Sequence, residues 1–162
     1  MLEDIQLRCQ IAADTMQQAL TIGKELLSRI TSPEEKALFE TIQRDADYFR
    51  RVSLSYALHI RETNVAQQLR QNLAQQKPLN PRLVTEMGKL LDADVINQDD
   101  RGRAPALSSI FLSFEVVNDN GKGRVIEMRR LIAEDPAAFV LNYLVPTDAT
   151  PEEEGQFTLT TR

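Results

Sequence analysis

Apolar residues at the start of the chain recur at steps of three and four: Leu2, Ile5, Cys9, Ala12, Met16, Ala19, Gly23, Leu26 and Ile30. That heptad period puts all of them on one stripe of a helix. Leu20, Ile22 and Leu27 widen the stripe, and Glu3, Gln10, Asp14, Gln17, Lys24 and Glu25 fill the other side. The pattern predicts a helix over residues 2–30 with a bundle-type face. Ser32-Pro33-Glu34-Glu35 then reads as a helix start, with Ser as cap, Pro at the first helical position and Glu35 at capping-box spacing. Phe39, Ile42, Ala46, Phe49, Ser53, Tyr56 and Ile60 form a second heptad stripe. So short a connection makes the two helices an antiparallel hairpin over residues 1–76.

The second stripe slips after Ile60. Val65, Ala66, Leu69 and Leu73 continue an apolar face in another register, and Asn64 stands three before Gln67 as a cap would. A stutter in one long helix and a break near Asn64 both account for this, and the spacing favours the break. Lys77-Pro78-Leu79-Asn80-Pro81 ends that segment and starts another. Leu83, Val84, Met87, Leu90 and Leu91 give a third helix over residues 81–93, with a polar loop expected over 92–102.

The second half is less decided. Within residues 105–117, Leu107, Ile110, Phe111, Phe114 and Val117 fit a helix, while Ile110, Leu112, Phe114 and Val116 fit a strand. Asn120-Gly121 is a hairpin signal and equally a helix C-cap. Residues 124–132 carry the same ambiguity, so a β-hairpin over 110–131 stands beside a helical reading. Asp135-Pro136 caps a short, almost wholly apolar helix that Pro146 closes. The fold expected is mainly α. A helical hairpin or bundle occupies 1–98, a small C-terminal α+β unit at 99–146 packs on it, and 147–162 is an acidic tail. The run from Thr31 to Glu40 with Tyr48-Phe49-Arg50-Arg51 resembles the helix turn of four-helix-bundle sensor domains in bacterial chemoreceptors. That resemblance covers residues 31–51 and implies a hairpin fold, as an analogy of architecture alone.

Composition narrows the chemistry. The chain has 162 residues and a net charge of -5, which argues against a general phosphate-backbone binder. Residues 1–75 hold 9 basic and 10 acidic side chains, so the acidity lies mostly toward the C-terminus. One Cys excludes an intrachain disulfide, and one His excludes a multi-His metal centre. No stretch has the roughly 20 apolar residues of a membrane span. The acidic start Met1-Leu2-Glu3-Asp4 has no signal-peptide character, which gives a cytoplasmic expectation.

The candidate motifs fall short of known chemistry. His59 lies too far from Arg51 for the Arg-then-His spacing of HEPN-type helical ribonucleases, and reads as a structural or surface residue. Cys9 lies on an apolar stripe, where an inert thiol is ordinary. The run Asp92, Asp94, Asn97, Asp99, Asp100 puts Ile96 and Asn97 where a calcium loop needs a ligand and a glycine. Gly121-Lys122-Gly123 lacks phosphate-loop spacing. No catalytic, cofactor-binding or metal residue is therefore assigned. Phe139, Leu141, Tyr143 and Leu144 are candidate interaction residues, being apolar around most of a short helix. Arg124, Arg129 and Arg130 join them as the densest basic cluster. The function expected is a non-enzymatic protein-interaction or assembly subunit, with a protein partner or self-association and no nucleic acid. The alternatives are a helical bundle that senses a small ligand and an enzyme such as a nuclease accessory.

Overall fold

The computed structural model describes residues 1–98 and 119–144, which fold as helices. The helices are α1 (Leu2–Leu27), α2 (Pro33–Ala74), α3 (Pro81–Gln98), α4 (Asp119–Glu134) and α5 (Pro136–Phe139), the last continued by a π-helical turn, Val140–Leu144. No strand occurs among the described residues. α2 has 42 residues and so runs ~63 Å at 1.5 Å per residue. It is the spine to which α1 and α3 attach at different levels.

The starts predicted at Ser32, Asn80 and Asp135 are built as helix caps. Ser32 Oγ accepts from the Glu35 amide at 3.4 Å, and its hydroxyl donates to the Glu34 carboxylate. Asn80 Oδ1 accepts from the Arg82 amide, and Asp135 Oδ1 from the Ala138 amide. Each satisfies an orphan N–H of a first turn. α2 ends without a glycine. Gln76 takes a left-handed φ of 54°. The Gln76 amide then donates to Leu73 O, and the Lys77 amide to Asn72 O, the paired bonds of a Schellman turn.

α2 is continuous through Asn64, against the expected break. The apparent slip is a change of neighbour. One row of α2 (Phe39, Gln43, Ala46, Arg50, Ser53, Ala57, Ile60) is buried or half-buried along the length of α1. A second row (Arg51, Ser55, Leu58, Glu62, Val65, Leu69, Leu73) is buried throughout and faces α3. Both rows keep three-four spacing, so one helix serves two partners in turn. Thr63 Oγ1 donates to His59 O four residues earlier, inside the unbroken ladder.

α3 also runs further than its apolar stripe, so residues 92–98 are helix and not the expected loop. Asp94 and Asn97 hold the inward phase of Leu83, Met87 and Leu90 and are both buried. The Asn97 amide nitrogen donates to Ser55 Oγ at 2.8 Å and to Arg51 O at 3.1 Å. Arg51 in turn donates to Asn97 O at 2.7 Å, placing a cation at the helix's C-terminal end.

The β-hairpin expected over 110–131 is not formed where the chain is described. Residues 119–131 belong to α4, and 110–118 lie outside the described residues, as do the other residues of 99–118 and the tail at 147–162. Val125, Met128 and Leu131 are buried at helical spacing while Ile126 is exposed. Arg130 bridges Glu127 and Glu134, three and four residues away, a pairing that only a helix presents.

One core joins the second half of α2 with α3, α4 and the 136–144 segment. Leu69, Leu73, Met87, Leu91, Met128, Phe139 and Val140 are among its most buried members. Arg70 donates to Leu144 O at 3.0 Å and ties the end of the π turn to α2.

Candidate functional site: the open side of the α1–α2 hairpin

The sequence-predicted interaction residues divide. Phe139 and Leu144 are 2% and 3% exposed, enclosed in the core, and Leu141 and Tyr143 are half-buried against it. The Phe139 and Tyr143 rings lie 5.5 Å apart. Arg124, Arg129 and Arg130 are exposed on α4. Arg129 pairs with Asp92 of α3 at 2.9 Å, and Arg130 is forked between Glu127 and Glu134. The hydrogen bond from Arg130, with its charge, holds the Glu127 carboxyl below the usual range. The arginine cluster is thus largely balanced within its own helices. The structure brings these seven residues into no common surface.

The buried polar groups are gathered instead between α2 and the end of α3. Asp47 accepts from Arg50 at 2.8 Å and from Arg51 at 3.1 Å; Arg51 also donates to Asn97 O, and the Asn97 side-chain amide donates to Ser55 Oγ. Partial burial alone would raise the Asp47 carboxyl. The hydrogen bonds and charges of Arg50 and Arg51 outweigh it and hold the group below the ordinary carboxylate value. His59 is half-buried and its Nδ1 meets no hydrogen-bond partner among the described residues. Cys9 is half-buried and unpaired in the α1–α2 seam. No group of three metal-ligating side chains occurs among the described residues. No described helix is long and apolar enough to cross a membrane.

The surface that stands out lies on the hairpin. α1 meets α2 through Gln6, Cys9, Ala13, Met16, Leu20, Gly23 and Leu27, all buried or half-buried. Gly23 lies against Phe39 and Gln43, where a Cβ would come within 2.5 Å of the Gln43 side chain. The missing side chain lets the helices close together there.

The two sides of this seam differ. One carries Gln10, Gln17 and Lys24 from α1 and Glu40 and Asp47 from α2. A polar cleft on that side is lined by Gln17, Lys24, Gln43, Asp47, Arg50 and Arg51. The other carries Ile5, Ala12, Ala19 and Leu26 from α1 and Ile42, Phe49 and Tyr56 from α2. In an antiparallel pair the residues just before each first heptad seam position lie on the same side, so these two rows form one face. Ile22 and Leu38 extend it. Ile42, Phe49 and Tyr56 are 55%, 54% and 47% exposed, and Ile5, Ile22, Leu26 and Leu38 are exposed as well. Leu7 and Ile11 are exposed elsewhere on α1 and do not belong to it. An apolar face of this extent is uncommon on a free surface.

The sequence stripes already contained this face. Each combined seam residues with open-row residues, so the apolar arc of each is wider than the α1–α2 seam covers. No protein family, curated protein or solved structure matches the chain.

Proposed function

We propose that this chain is a non-enzymatic assembly subunit, whose α1–α2 hairpin offers its apolar side to another protein surface. The observation that carries this reading is the row Ile42, Phe49 and Tyr56, half-exposed beside Ile5 and Leu26 on a hairpin with no other described helix on that side. Burial of such a row is favourable at about 25 cal/mol per Å² of apolar surface, which gives association its driving force. The polar groups of the α2–α3 seam support the same reading. Their hydrogen bonds join the two helices, so these groups are engaged with one another inside the chain.

The test compares wild type with Phe49→Glu. Chemical cross-linking in native lysate, read with sedimentation of the purified chain, should give an adduct or a self-assembled species that Phe49→Glu loses while its circular dichroism stays helical. Identical behaviour of the two proteins, with no adduct from either, would overturn the proposal.

A further inference from the structure

We infer that the occupant of the open hairpin face is a second copy of this chain, and that the two hairpins close into a four-helix bundle with α1 of each lying on α2 of the other. This rests on the assembly reading above and names its partner.

The first observation is the direction of the apolar stripes. In a hairpin complete in itself, each stripe would centre on the seam. Here the stripes of both helices centre between the seam and the open rows. That is the direction of a bundle axis, where each helix touches one neighbour at the seam and another across the face. Two further helices are needed, set side by side as a hairpin. A second copy supplies that arrangement without another protein.

The second observation is size complementarity between the rows. The α1 row is small at its middle, Ala12 and Ala19, while the α2 row is bulky, Ile42, Phe49 and Tyr56. Gly23 lies against Phe39 and Gln43, which fixes the levels of the two helices. Counting along both helices from there puts Phe49 at a height between Ala12 and Ala19. A two-fold axis running along the bundle would set each copy's α1 over the other's α2 at equal height. Phe49 of each copy then drops between the two alanines of the other, as a knob into a hole. A perpendicular axis would stack the bulky rows on one another and the small rows on one another.

The third observation is area. Half-exposed aliphatic and aromatic side chains of this size offer on the order of 100 Å² each, so the face supplies on the order of 700 Å² per copy. Two copies then bury roughly 1,400 Å², within the range of stable specific interfaces. Neutrality fits as well, because 9 basic and 10 acidic side chains in residues 1–75 leave little net repulsion between hairpins.

The experiment uses the full chain. Sedimentation equilibrium should give twice the 18.4 kDa chain mass. The melting temperature should rise with protein concentration in wild type and not in Phe49→Ala. In a Cys9→Ser background, Ala19→Cys and Ile42→Cys proteins are treated with a short bismaleimide, separately and mixed. A cross-linked dimer from the mixture, well above that from either protein alone, is the expected result. Equal linking of each protein to itself would overturn the α1-on-α2 arrangement. A monomer at about 100 μM, a concentration far above the Kd of a stable interface, would overturn the second copy. If that monomer still forms a lysate adduct that Phe49→Glu abolishes, the assembly reading stands and only this inference fails. If neither self-association nor an adduct is found, both fail.

Discussion

Phe139 separates two roles for the apolar segment after α4, one as core and one as a docking surface. The ring is 2% exposed and belongs to the same core as Leu69, Met87 and Met128. Phe139→Ala therefore leaves a cavity in a close-packed interior and loses the ring contact with Tyr143. Such truncations cost about 3–5 kcal/mol. For a chain of this size each kcal/mol shifts the melting temperature by about 2–4 °C, so the expected fall is roughly 6–20 °C. Thermal unfolding followed by circular dichroism at 222 nm measures it, with a dilute sample so that association contributes little. Phe49→Ala is the control. Its ring is 54% exposed, and its dilute melting temperature should move by no more than ~2 °C. A Phe139→Ala protein that melts with wild type would refute the placement of residues 136–144 in the core and return Phe139 to the surface.

Four other outcomes follow from particular contacts. Gly88→Ala should raise stability by about 0.5–1 kcal/mol, because the new methyl meets Ile132 at 3.5 Å, an ordinary contact, and the helix gains propensity; a drop in melting temperature would show that α3 and α4 pack closer than this. Gln76→Gly should stabilise by a similar ~0.5–1 kcal/mol by relieving the left-handed φ of 54°, measured by urea unfolding; no gain would place the turn in another conformation. Asp47→Asn should cost on the order of 1 kcal/mol at pH 7. The folded carboxyl is depressed, so its contribution is present above the ordinary carboxylate pKa of about 4 and is lost as pH falls through the lower folded value; a deficit that stays unchanged as the solution is acidified would contradict the ion-pair account. Amide exchange in a dilute sample should be faster in residues 15–50, which pack across a single seam, than in 58–74 and 125–144, and uniform protection would show that the hairpin tip is held by more than α1 and α2.

Helix starts were the most legible part of the sequence, because a cap is local chemistry. Ser32-Pro33, Asn80-Pro81 and Asp135-Pro136 each put an oxygen where first-turn amides need one, and each is used in that way. Helix continuity was less legible because it depends on neighbours. Asn64 and Gln67 offer a cap, but Val65 and Leu69 are in phase with Leu58 and Glu62 for contact with α3, and that packing carries the helix past Asn64. The end of α3 misled for the opposite reason. Asp94 and Asn97 look like loop residues, yet both are buried, and Asn97 bonds to Arg51 and Ser55 of α2, more than forty positions away. In α4 the composition favoured strand, while the spacing of Val125, Met128 and Leu131 and the Glu127–Arg130–Glu134 pairs favoured helix. Burial on one side decided for the helix.

The candidate site was legible as a pattern and illegible as a place. Density of apolar residues drew attention to 139–144, yet dense apolar segments are what a core consumes first, and Phe139, Val140 and Leu144 are buried in it. A diluted apolar row is the better sign of an unfilled contact. Ile42, Phe49 and Tyr56 recur once per heptad among charged residues, and no excess hydrophobicity marks them. What marks them is arithmetic over helices. α2 shows an exposed apolar row beside its rows for α1 and α3, while α1 shows a stripe wide enough for two neighbours and meets one among the described residues. The width of an apolar arc states how many helices must touch it, and only the fold states how many the chain itself provides. The C-terminal half of α2 is covered by α3 and the 136–144 segment, while one side of the hairpin is left uncovered among the described residues. An assembly reading follows from that deficit, and a second hairpin of the same sequence is the smallest addition that removes it.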